Sequence, residues 1–171
     1  MTNASRTGKI TYDEGGARLE FERLVPFSPE RVWDALTTPA KLERWAMTKA
    51  TIDGRAGGAI DFLSGGGQVH TTGKILTWDP PRVFEHERNA EPGGWIVTAE
   101  RSVIRWELSP HGRGTLLRLV HRWLPPTLAI KIAPATHVLL DRIEDELAER
   151  ESADFSEVVR SISSLYSAGT P

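Results

Sequence analysis

The chain of 171 residues has no cysteine, which excludes disulfide scaffolds, thiolate metal sites and cysteine nucleophiles in one step. Nor does it contain the roughly 18 consecutive apolar residues of a membrane-spanning helix. The opening MTNASRTGKITYDEGG lacks the apolar centre of a secretion signal, so the expected location is the cytoplasm. Basic runs are absent as well. The 21 Lys and Arg face 23 Asp and Glu for a net charge of -2, whereas a nucleic-acid partner needs a cationic face to displace condensed counterions. There is no Gly-x-Ser-x-Gly elbow and no Gly-Lys-Ser/Thr after a glycine-rich loop, and His86-Glu87-Arg88-Asn89-Ala90 lacks the second histidine of a zinc helix. Five scattered histidines form no ligand cluster, so neither a metal nor a cofactor is expected.

What is present is an ordinary globular composition, 39% hydrophobic and 26% charged, in a length suited to one domain. Residues 1–7 read as a flexible tail, 8–150 as the domain, and 151–171 as a partly helical extension with a loose end. KITY and RLEFERLV flank Asp13-Glu14-Gly15-Gly16, which predicts a β-hairpin. Ser28-Pro29 supplies an N-cap and a first-turn proline, so a helix starts there, and Pro39 ends it and opens a second short helix, AKLERWA. From Thr51 to Trp123, alternation broken by turns such as Gly65-Gly66-Gly67 predicts antiparallel strands near 59–63, 68–78, 82–88, 95–109 and 114–123. Pro125-Pro126 closes this region. From about Pro134, Thr136, Leu139, Leu140, Ile143 and Leu147 form one apolar helical stripe, with Asp141, Asp145, Glu146 and Glu149 on a solvated face. One amphipathic helix on one antiparallel sheet is an α+β layer architecture.

Four stretches, FERLVPFSPERVWDALTTPAKLERWA, the Gly57-Gly58 strand start followed by IDF, WDPPRVFEH, and GTLLRLVHRWLP with THVLLDRIEDELA, give the chain a resemblance to the START-like (SRPBCC) superfamily. Within it, the chain most resembles bacterial relatives of the activator of the ninety-kilodalton heat-shock protein ATPase. The resemblance implies a helix-grip fold: a curved antiparallel sheet wrapped around a long C-terminal helix, with two short helices after the first strand and a mostly apolar cavity inside. It does not imply one function, because members of the superfamily bind lipids, hormones or polyketides, cyclise polyketides, or act as co-chaperones.

Strand alternation predicts which side chains face that cavity. Leu117, Leu119, His121 and Trp123 share one face against Arg118 and Arg122; Ile104, Trp106 and Leu108 point inward from the preceding strand; Ile60 and Phe62 add to the lining. Phe84 shares its face with His86 and Arg88, two polar groups where apolar ones belong. Either they converge with His121 in a small-molecule pocket, suited to an anionic or carbonyl-bearing ligand, or they lie near its mouth and pair with Glu85, Glu87 or a carboxylate from another strand. On the last helix, Leu140 completes the lining, and His137 with Asp141 is either an oriented acid–base pair or an ordinary surface pair. Trp33 and Trp45 read as helix-packing core, Trp78 as cover for a sheet edge, and Trp95 as a gate or cap. Three functions stay open: a non-enzymatic binder of a small hydrophobic molecule, a co-chaperone of a heat-shock ATPase, and a cyclase or hydratase with His121 or His86 as general base. No nucleic-acid or integral-membrane partner is expected, and the oligomeric state is left open.

Overall fold

Ser28 caps the first helix as its position dictates. Its side chain accepts from the Arg31 N–H, and Pro29 occupies the first turn, where no intrahelical N–H is needed. Helix α1 runs Pro29–Thr37 and α2 Pro39–Ala46. Arg31, where a capping box places Glu, instead reaches the carbonyl of Leu147 at 2.9 Å. The computed structural model describes residues 6–93, 96 and 99–167, so Trp95 lies outside the described residues.

The strands are β1 (Lys9–Asp13), β2 (Gly16–Val25), β3 (Lys49–Ile52), β4 (Ala59–Ser64), β5 (Val69–Asp79), β6 (Val83–Ala90), β7 (Glu100–His111) and β8 (Gly114–Leu124). They form one antiparallel sheet in the order β1-β2-β8-β7-β6-β5-β4-β3. The short β3, with a single sheet neighbour, does not appear among the strands expected from alternation. β7 starts at Glu100, later than the expected 95.

Helix α3 spans Pro126–Leu147, beginning well before the expected Pro134, which sits inside it. A proline there removes the N–H that would bond the carbonyl of Ile130. Leu128, Ala129, Ile132 and Ala133 are buried ahead of it and Leu140, Ile143 and Leu147 after it, so tertiary packing holds the helix through the defect. Two further helices follow, α4 (Phe155–Ile162) and α5 (Ser164–Ser167). The curved sheet, the long helix and the short helices together make the α+β helix-grip arrangement.

The convex face of the sheet is charged. Glu85 bonds Arg122 at 2.7 Å and lies 3.4 Å from Arg105; Glu107 pairs with Arg105 and Arg118, and Arg118 reaches Glu20. Trp123 departs from the alternation that groups it with His121. A register shift between Ala17 and Leu19 bulges β8, Trp123 takes a left-handed backbone (φ 64), and its ring turns out to 53% exposure beneath Arg122. Leu124 is buried again beyond the bulge. Arg6, within the segment read as a tail, is held by Asp141 and Glu144 of α3.

Candidate ligand-binding cavity

The pleat lays the concave side chains in rows across the strands. In one row Trp78, Phe84, Trp106, Leu119 and Phe21 are successive register partners from β5 to β2. In the next row the sequence is Ile75, His86, Ile104, His121 and Leu19. Above the middle of these rows lies a cavity of about 820 Å³, bounded by α2, α3 and residues 152–156. Met47, Gly65 and Gly66 rim it at the surface. Gly65, Gly66 and Gly67 all have positive φ (60, 69 and 92), a tight turn that side chains with a Cβ rarely follow.

Phe62, Phe84, His86, Arg88, Trp106, Leu119, His121 and Leu140 all border this space. Leu117 and His137 do not. Leu117, paired with Leu108, is one row further along, where α1 packs on β7 and β8 and fills the space with core. His137 is 2% exposed and turned toward β2 and α5, with Nδ1 2.8 Å from the Tyr166 hydroxyl, Nε2 3.6 Å from Asp141 and the Phe21 ring at 6.1 Å. It is neither a cavity residue nor a surface one, because the C-terminal helices cover a second side of α3. Trp45, assigned to core, also borders the cavity while its indole N–H donates to the Ala35 carbonyl at 2.8 Å. Trp78 packs edge-on against Trp33 and Phe84.

The polar end of the cavity is a connected network. Arg88 pairs with Glu100, which is fully buried, so the anomalous cation on the inward face has a counter-ion from the neighbouring strand. Glu100 also accepts from the Ser102 hydroxyl and lies 3.3 Å from His121 Nε2, which is 2.8 Å from Ser102 Oγ. Burial opposes ionisation of Glu100, but the hydrogen bond from His121, the charge of Arg88 and the bonds from Arg88 and Ser102 outweigh it and hold the carboxyl at about 2. Burial lowers His121 despite the bond to Glu100, and it lowers His86 to about 4, so both imidazoles are neutral near pH 7. His86 Nδ1 lies 2.8 Å from the Glu87 carbonyl oxygen. Glu100 and Ser102 are absent from the residues singled out by sequence, although carrying the inward set of β7 back by twos from Ile104 reaches both. Among the described residues no three His, Asp or Glu side chains gather as a metal would require, and no helix is long and apolar enough to cross a membrane.

An apolar chamber with a neutral, internally paired polar end can hold an amphipathic molecule. Two neutral histidines also offer bases to a bound substrate, provided both reach one reacting atom.

The fold recurs in solved structures. CalU16 from Micromonospora echinospora is 22% identical over 95% of each chain, with a TM-score of 0.71. A conserved protein of unknown function from Enterococcus faecalis is 16% identical, covering 99% of this chain and 95% of its own, with a TM-score of 0.73. A protein from Bordetella parapertussis is 22% identical over 90% of this chain and 86% of its own, with a TM-score of 0.71. No curated protein matches the sequence. The family described as Activator of Hsp90 ATPase homolog 1-like protein matches residues 26–148, covering both short helices, the sheet from β3 to β8 and α3. The chain therefore belongs to the Activator of Hsp90 ATPase homolog 1-like family, within the START-like superfamily.

Proposed function

We propose that the protein binds a small hydrophobic or amphipathic molecule in the cavity and does not transform it. The observation that carries this reading is the cavity itself: about 820 Å³ inside a core that ordinary packing would fill, in the size range of small-molecule sites. Phe62, Phe84, Trp106, Leu119 and Leu140 supply apolar contact, and His86, Arg88 and His121 mark the end for a polar head. Native mass spectrometry of freshly purified protein, followed by solvent extraction, is the direct test. A copurifying amphiphile whose retention weakens in Trp106→Ala supports the reading. An empty protein whose melting is unmoved by fatty acids, sterols and aromatic polyketides counts against it.

The family description favours a second reading, a co-chaperone that stimulates an Hsp90 ATPase. Unchanged ATPase turnover at saturating concentrations of this protein removes it.

A further inference from the structure

The polar end of the cavity presents acceptors. A carbonyl oxygen can only accept, so the 2.8 Å contact with the Glu87 carbonyl puts the proton of neutral His86 on Nδ1 and leaves Nε2 a lone pair. His121 is arranged the opposite way round. Its Nε2 faces the ionised Glu100 and Ser102, so the proton sits there and Nδ1 carries the lone pair. Among the described residues neither lone pair meets a donor, and neither nitrogen is sealed in: the occluded side-chain nitrogens without a partner there belong to Arg23 alone. His86 is 2% exposed and His121 3%, and both border the cavity. They flank Ile104 in one row, which puts their backbones about 10 Å apart with both rings directed to the same side. Of the two arginines that border the cavity, Arg88 is already matched by Glu100, and Arg142 spends its guanidinium on the backbone carbonyls of Trp45, Ala153 and Arg44.

Resting on the ligand-binding reading above, we propose that the natural occupant carries a hydroxyl, of a phenol or an alcohol, whose single proton His86 Nε2 accepts, with His121 Nδ1 left to accept from a second donor. A carboxylate, the headgroup that an unpaired Arg88 would favour, meets two lone pairs and a buried anion instead. A charge of that sign in a poorly solvated site is repelled.

The test uses three matched probes, 4-octylphenol, its methyl ether and 4-octylbenzoate, each displacing the neutral fluorophore N-phenyl-1-naphthylamine from the full-length protein at pH 7.5. The phenol is expected to bind about tenfold tighter than the ether, the equivalent of one buried hydrogen bond, and the benzoate weakest. In His86→Phe the preference for phenol over ether shrinks several-fold, because the acceptor that told them apart is gone. Should that variant not fold, the ratio in the unmodified protein still decides. Equal affinity for phenol and ether, or benzoate tightest, overturns the donor assignment while leaving the ligand-binding reading intact. If no probe displaces the fluorophore and the fluorophore itself does not bind, the ligand-binding reading fails and the assignment falls with it.

Discussion

Replacing Glu100 by Gln leaves the Arg88 cation under the sheet with no counter-ion and takes away the carboxylate that orients His121. Breaking one side of a buried pair costs about 3 kcal/mol or more, whereas exchanging both partners for apolar groups is far milder. Urea unfolding should therefore show Glu100→Gln strongly destabilised and Glu100→Gln/Arg88→Met partly restored. The histidines set a pH dependence of definite sign. Burial lowers His86 to about 4 from an ordinary 6.5, so between those values the unfolded chain binds a proton that the folded one does not. The His86 contribution is fully present above about 6.5, falls as the pH drops toward 4, and levels off below. His121 and His137, also lowered chiefly by burial, act in the same direction. Glu100, held at about 2, contributes stability that is lost only lower, from about 4.5 to 2. In His86→Phe the decline in urea midpoint from pH 7 to 4.5 should be shallower than in the unmodified protein.

At the scale of elements, the C-terminal helices matter beyond their size. Tyr166 of α5 accepts the Gly8 N–H at 3.0 Å ahead of β1 and bonds His137 of α3, so one hydroxyl joins three parts of the chain. Tyr166→Phe should cost about 1–2 kcal/mol by stranding both partners, and amide exchange should rise selectively in residues 8–13 and 164–167. These helices also explain what the sequence hid. Hairpin, paired short helices and the β4–β8 strands were legible because turn chemistry and a two-residue period are local signals. Seven of the eight expected residues that border the cavity were legible for the same reason, since the inward face follows from alternation once a single strand is placed, and Leu140 was legible from the helical stripe. His137 and Leu117 were not, because what covers a buried side chain is decided by elements distant in sequence: α5 over one and α1 over the other. The outward turn of Trp123 depends on a bulge in pairing with β2, and the early start of α3 on packing strong enough to carry Pro134. No period within either segment encodes those.

For the whole molecule, the open chamber is where stability has been given up, since apolar walls lining a void forgo contacts that a filled core would make. Ile104, between the two histidines, is the position from which to fill it. Ile104→Trp should raise the urea midpoint, by about 1 kcal/mol in stability, while abolishing fluorophore binding. If that variant binds as well as the unmodified protein, the ligand lies elsewhere.

The strand order has a consequence during synthesis. β2 pairs with β8, so Val25 waits for Thr115 before its register is fixed, and α3 comes later still. A nascent chain must hold Phe21, and then Phe62, Phe84 and Trp106 as each is added, without their final cover until α3 has been made. Such non-local closure folds slowly and exposes sheet edges to other chains. A ribosome stalled before residue 114 would release an aggregation-prone fragment rather than a smaller working domain.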